Sequence, residues 1–225
     1  MVSVPQLKDW TPADLLRARS LSPAIDRYLK ILESPPGSFS DELRHQRHEA
    51  WTRAALAALC SNIPAQEICQ FWSEACLQIL RRAWEKEELH HEQVCLITMG
   101  KLGAGELNLS SDIDIYFVSE KEPSKVLIKK IRAWINQLTE IRASGFCFRV
   151  DLDLRPGGST APLVQSFEQM TNHYGYHGET WERVALIRQN IPLGPAPLVE
   201  EISTFCRKFS FRKHIDYGLF HDLQS

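Results

Sequence analysis

The stretch Val94–Val118, VCLITMGKLGAGELNLSSDIDIYFV, constrains this chain more than any other. Its apolar run from Val94 to Met99 reads as a strand that ends at Gly100-Lys101. A loop rich in Gly, Asn and Ser follows. A second apolar run, Ile113 to Val118, opens with Asp112 and Asp114. Strand side chains alternate faces, so these two acids are expected on one side, ~6.5 Å apart along the chain. Like charges at that spacing repel by roughly 2–3 kcal/mol at an effective dielectric of 20. Such a pair at the mouth of a sheet calls for a cation, and Mg²⁺ favours carboxylate oxygens plus substrate phosphates. A further strand is predicted over Phe146–Leu154, carrying Asp151 and Asp153. Alternation places Asp153 and Arg155 on one face of it. The combination points to metal-dependent nucleotidyl transfer.

Composition narrows the partners. At 225 residues, 44% apolar and 24% charged, the chain has ordinary globular make-up and length for one or two domains. A net charge of −2 offers no basic footprint, so long nucleic acid is not expected. No apolar run approaches ~18 residues, so no membrane span is expected. The N-terminus lacks the apolar core of a signal peptide. Cys60, Cys69, Cys76, Cys95, Cys147 and Cys206 form no CxxC. They read as free buried thiols in a reducing cytoplasm.

The chain divides into an expected N-terminal helical region, 1–92, a catalytic core, 93–190, and a C-terminal helical tail, 191–225. Thr11-Pro12 and Ser22-Pro23 open two short helices, and Ser34-Pro-Pro-Gly-Ser38 breaks the chain. A helix is predicted after Ser40, with Arg44-His-Gln-Arg47-His48 as a solvated basic face. A longer helix follows Pro64, with Ile68, Phe71, Trp72, Ala75, Ile79 and Leu80 as its buried stripe. Trp51, Trp72, Trp84 and Trp134 are expected in the core. The helix after Pro123 is expected to stop at Gly145. A short edge strand is predicted over Pro162–Gln165, and Ser166-Phe-Glu-Gln169 is a capping box for a helix to about Tyr174. Thr180 is expected to cap a helix over Trp181–Gln189. Pro192, Pro195 and Pro197 read as a linker before a last helix, about Leu198–Lys208, and a polar tail, Arg212–Ser225.

The candidate site follows from this layout. Asp112, Asp114 and Asp151 are the candidate catalytic, metal-binding acids. The Gly100-Lys101 turn permits backbone N–H groups to approach a phosphate, with Lys101 as a point charge. Ser110 and Ser111 suit phosphate donation or a turn cap. Arg155, Arg183 and Arg188 are further candidates for phosphate or nucleotide. Arg155 suits turn stabilisation equally, and Arg183 and Arg188 suit ion pairs with Glu179 or Glu182. His173 and His177 lack the intervening pattern of a zinc protease, and GKLGAG has neither a GK[ST] ending nor GxGxxG.

The order of strand, Gly-Lys turn, DxD strand, helix and Asp-bearing strand suits the polymerase-β-like nucleotidyltransferase core. In that chemistry two metal ions sit about 3.5–4 Å apart. GKLGAGELNLSSDIDI, followed by FRVDLDLRPGG, APLVQSF and WERVALIRQ, resembles one catalytic half of the bifunctional glutamine synthetase adenylyltransferase/adenylyl-removing enzymes. The likeness runs from about Leu43 to Asn190. FRVD, PLVQSF and WER resemble the N-terminal, adenylyl-removing half more than the C-terminal one. The resemblance implies an α+β fold: a small mixed sheet flanked by helices, behind an N-terminal helical region. It also implies Mg²⁺ or Mn²⁺, ATP or ADP as substrate or product, and glutamine synthetase as protein substrate, with a PII-type regulator as a further partner. One half of such an enzyme adds AMP to a tyrosine, and the other removes it by phosphate attack, releasing ADP. The family carries Arg where this chain has Asp153, and family proteins are far longer. A catalytically inactive nucleotide- or partner-binding regulatory domain, and a stand-alone nucleotidyltransferase with another target, are the alternatives.

Overall fold

The structure, a computed structural model, describes residues 4–211, so the polar tail expected over Arg212–Ser225 lies outside it. The described chain is α+β and forms two compact units. Within the described residues, the first comprises 4–86, 105–112 and 134–149, and the second 87–104, 113–133 and 150–211.

The first unit is built on α1 (Pro12–Leu21), α2 (Pro23–Leu32), α3 (Phe39–Cys60) and α4 (Ala65–Lys86). Helix α1 begins as expected, with Thr11 Oγ1 accepting from the Asp14 amide at 3.2 Å. Helix α3 starts earlier than expected, because Ser38 rather than Ser40 caps it, accepting from the Asp41 amide at 3.2 Å. Ile68, Trp72, Ile79 and Leu80 of α4 are buried, as are Trp84 and Trp134. Three bonds tether the segment 105–112: the Trp72 and Trp51 indoles donate to the Asn108 and Leu109 carbonyls at 3.2 and 2.9 Å, and the Leu107 amide donates to Ser73 Oγ at 2.9 Å.

The basic stretch of α3 corrects the expectation of a wet face: Arg44, Arg47 and His48 are buried. Arg44 donates to the carbonyls of Gly145 (2.8 Å), Ser40 (2.7 Å) and Glu140. Arg47 Nε donates to the Cys147 carbonyl at 3.1 Å. Its guanidinium lies 5.0 Å from the Tyr28 ring, 5.7 Å from Trp51 and 5.6 Å from Trp72. His48 Nε2 meets the Ser144 carbonyl at 2.6 Å, and its ring stacks on Tyr28. A guanidinium carries five donors in one plane, so gathered carbonyls satisfy it without a carboxylate. Burial lowers the Arg47 pKa and pushes the His48 imidazole down to about 4, with the Arg47 charge beside it as a lesser cause. These contacts clamp the loop 140–148. Gly145 sits in that loop at φ +90°, beyond the helix it was expected to stop, which ends at Thr139.

The second unit holds a five-stranded sheet. Its elements are β1 (Val94–Thr98), α5 (Gly100–Gly103), β2 (Ile113–Ser119) and the first part of α6 (Lys125–Thr139). Then come β3 (Val150–Asp151), β4 (Val164–Ser166), α7 (Phe167–Tyr176), α8 (Thr180–Ala185), β5 (Asn190–Leu193) and α9 (Ala196–Ser210). The strand order is β3-β2-β1-β5, with β4 also paired to β2. Strand β1 runs antiparallel to β2 and β5, while β2 runs parallel to β3 and β4. Cys95, Ile97, Tyr116 and Val118 pack in one buried cluster with Met170, Tyr174, Ile202 and Phe209.

Four local expectations change. The strand expected over Phe146–Leu154 shrinks to Val150–Asp151, because the Cys147 and Phe148 amides donate to the Leu138 carbonyl at 3.0 and 3.1 Å instead of to a neighbouring strand. The loop after β1 contains the helical turn α5. The helix expected to reach Gln189 is capped by Glu179, not Thr180, and gives way to a 3-10 turn at Leu186–Arg188. The proline linker begins as strand β5, and Pro192 is tolerated there because β5 is a sheet edge. All six cysteines are free. Burial pushes the Cys95 thiol up to about 12 and those of Cys147 and Cys206 to about 11, so they are packing groups. Among the described residues, no helix is long and apolar enough to cross a membrane.

Candidate active site

In the second unit, β2 and β3 pair in parallel with Asp114 directly opposite Asp151. Paired residues on adjacent strands put their side chains on the same face, about 4.8 Å apart. Two carboxylates at that distance repel by about 3 kcal/mol at an effective dielectric of 20. Both are half-buried, Asp114 near the start of β2 and Asp151 at the end of β3.

Gly100 closes the other side of Asp114. Its φ is +56°, and a Cβ there would lie 2.6 Å from Asp114 Oδ2. The Met99 amide donates to the Asp114 carbonyl at 2.8 Å, which continues the β1–β2 ladder up to the turn. The turn then winds into α5, where the Gly103 amide donates to the Met99 carbonyl at 2.9 Å and exposed Lys101 faces outward. Gly103 has its own reason: a Cβ there would lie 2.1 Å from the Arg188 carbonyl oxygen and 2.6 Å from that of Thr98. Glycine therefore lets the Leu186–Arg188 turn rest on α5, with the Arg188 side chain exposed.

The remaining candidates have other bonds. Asp151 Oδ1 accepts from the Asp153 amide at 2.7 Å. Asp153 lies in the turn beyond β3, so strand alternation does not set its face or that of Arg155. Arg155 ties down its own turn, donating to the carbonyls of Leu152 (2.7 Å), Ser159 (2.7 Å) and Ala161 (3.2 Å). Arg183 donates to the Ser210 carbonyl at 3.4 Å. Glu182, offered as a partner for Arg183 or Arg188, instead meets His173 Nε2 at 2.8 Å and accepts from the Glu179 amide at 2.7 Å.

In the first unit, Asp112 accepts a hydrogen bond from Arg149 Nε, and Arg149 Nη2 donates to the Ser110 carbonyl at 2.6 Å. Arg149 thus pairs with Asp112, not with Asp151 as its neighbour in sequence would suggest. Ser111 Oγ donates to Asn108 Oδ1 at 2.8 Å, and the Ser110 amide joins it at 3.2 Å. Asn108 organises this turn; the Asn-x-Ser-Ser run carries the signal of an Asx turn. Asn108, Gly103 and the Arg149–Asp112 pair are the features that spacing alone did not single out.

Among the described residues, no three His, Cys, Asp or Glu side chains are gathered into a metal cage. The donor set still fits Mg²⁺ or Mn²⁺. Asp114 and Asp151 offer oxygen ligands on one face, and the missing Cβ at Gly100 leaves the Asp114 carboxylate room. Mg²⁺ is held in just this manner elsewhere, by one or two carboxylates with waters and substrate phosphates completing the shell.

A family model described as glutamate-ammonia ligase adenylyltransferase matches residues 6–202. The chain belongs to that family. Among its relatives, the bifunctional glutamine synthetase adenylyltransferase/adenylyl-removing enzyme of Nitrosococcus oceani is 37% identical over 145 residues, 60% of this chain and 15% of that protein. The protein of the same description from Pseudomonas aeruginosa is 34% identical over 192 residues, 77% of this chain and 19% of its own length. That from Thioalkalivibrio sulfidiphilus is 38% identical over 143 residues, 59% of this chain and 15% of that protein. The chain therefore spans less than a fifth of these relatives.

Proposed function

We propose that this chain carries an adenylyl-transfer site acting on a protein tyrosine, with glutamine synthetase as the protein substrate. Asp112, Asp114 and Asp151 would hold Mg²⁺ or Mn²⁺, and residues 93–190 would bear the chemistry, with 1–92 as support. The observation that carries this reading is the register of Asp114 against Asp151 beside the open backbone of Gly100. A bound divalent ion would supply charge stabilisation for the transferred phosphoryl group.

The chain's own residues take the rest. The amides of the Gly100 turn and Lys101 receive phosphate oxygens, and Ser111 and Arg188 extend that surface. Arg155 and Arg183 serve it by holding the turns around it. In the removing direction, a phosphate oxygen attacks the phosphorus of AMP-tyrosine, the phosphorus–tyrosine oxygen bond breaks, and the tyrosine oxygen takes up a proton as ADP leaves. FRVD, PLVQSF and WER favour this direction. In the adding direction, the tyrosine oxygen attacks the α-phosphorus of ATP and gives up its proton to solvent, the bond from that phosphorus to the oxygen bridging the β-phosphate breaks, and pyrophosphate leaves. The free buried thiols fit a cytoplasmic setting, and a PII-type protein is the proposed regulator.

A second reading has two grounds behind it. Asp112 is engaged by Arg149, and Asp153 stands where the resemblance implies Arg. Both suit a domain that binds nucleotide or partner without turnover. Incubating the chain with adenylylated glutamine synthetase and phosphate, or with labelled ATP and unmodified enzyme, each with and without Mg²⁺, separates the readings by mass spectrometry. Mg²⁺-dependent loss or gain of AMP supports the first. Mg²⁺-dependent nucleotide binding with no change in the protein substrate supports the second.

A further inference from the structure

The Arg149–Asp112 ion pair joins a cation to one of the acids assigned to metal binding, and its two halves are held very differently. The backbone leading to Arg149 is clamped: Arg44, Arg47 and His48 bind the carbonyls of Gly145, Cys147 and Ser144 at 2.8, 3.1 and 2.6 Å. The Arg149 side chain itself is 61% exposed, so beyond Asp112 and Ser110 its guanidinium is open to solvent. Its second bond, to the Ser110 carbonyl, keeps the guanidinium over the turn that precedes the DxD pair.

Resting on the functional reading above, we infer that Arg149 is a charge-exchange residue: it neutralises Asp112 before metal binds, and is transferred to a phosphate oxygen of the substrate once metal takes that carboxylate. A guanidinium competes with a divalent ion for the same oxygens. Its fork geometry suits a phosphate as well as a carboxylate. The exchange involves no bond making; one ion pair replaces another. It makes metal and phosphate binding mutually supportive, and by linkage each raises the other's affinity by the same factor.

The test uses the full chain with Mn²⁺ and inorganic phosphate as probes, read by calorimetry or by electron paramagnetic resonance of free Mn²⁺. Without phosphate, Arg149→Gln is expected to bind Mn²⁺ about two- to fivefold more tightly, the range for removing an exposed competing ion pair. With phosphate, the unaltered chain gains Mn²⁺ affinity, Arg149→Lys keeps that gain, and Arg149→Gln loses it. Matched far-ultraviolet dichroism and melting curves exclude unfolding as the cause. Unchanged or weaker Mn²⁺ binding in Arg149→Gln, or an undiminished phosphate gain, overturns the inference. If Mn²⁺ binding is lost in Asp112→Asn yet indifferent to Arg149→Gln, this inference falls and the metal site stands. If the unaltered chain binds no Mn²⁺, both fall.

Discussion

The first unit buries two guanidinium groups, Arg44 and Arg47, while the second leaves two carboxylates, Asp114 and Asp151, side by side and half-buried. Both break the ordinary rules for charge placement. The difference lies in how each charge is answered. Every Arg44 nitrogen finds a carbonyl, so that cation is complete and acts as a structural clip. The two aspartates face each other, so like charges accumulate where an external cation would relieve them.

The widest gap between the regions appears on substitution. If the proposed function holds, Asp114→Asn should lower adenylyl transfer or removal by about 10³-fold, since one proposed ligand of the phosphoryl-stabilising ion goes, while the chain stays folded. Turnover is followed by mass spectrometry of glutamine synthetase. Full activity in that variant would break the comparison.

Arg44→Met should do the reverse, costing about 2–4 kcal/mol by stranding buried carbonyls. The readout is the urea midpoint, with activity per folded molecule preserved.

The clip also predicts an acid response. His48 is held neutral, with a folded pKa near 4 against an ordinary 6.5, so the unfolded chain binds its proton first. Stability from this group is complete above pH 6.5 and lost as pH falls toward 4. The total is at most about 3 kcal/mol. Urea titrations across that window should show the loss, and His48→Gln should remove the slope.

The smallest effect, about 1–2 kcal/mol of stability, is expected for Gly100→Ala, through its positive φ and the collision with Asp114. Activity should drop about tenfold or more as the carboxylate is displaced. An unchanged rate would loosen the link between the turn and the acid.

Legibility in the sequence followed the range of the interaction. The Thr11 cap and the Ser166 box depend on neighbours within a few positions and could be read directly. The pairing partner of Asp114 required the later apolar strand, and it was found there because Asp151 punctuates that run. Arg44 was misjudged because its acceptor at Gly145 lies 101 positions away, and a basic helix face looks the same whether water or carbonyls receive it. Strand β5 was obscured by Pro192, which only an edge position allows. Gly103 was invisible as a contact because the backbone it admits, at Arg188, comes from the far end of the core.

The interleaved units limit how this chain can be trimmed. A shortened version beginning at residue 93 would keep all three aspartates, yet it would discard Ser73, Trp72 and Trp51, which fasten 105–112, and Leu80, whose carbonyl receives the Trp134 indole at 3.2 Å. Segments 105–112 and 134–149 would come loose, with Leu107 and Trp134 stripped of cover. For anyone seeking the smallest folded piece, the scissors do not belong behind α4, and α2 must stay for Tyr28 to cover His48 and Arg47.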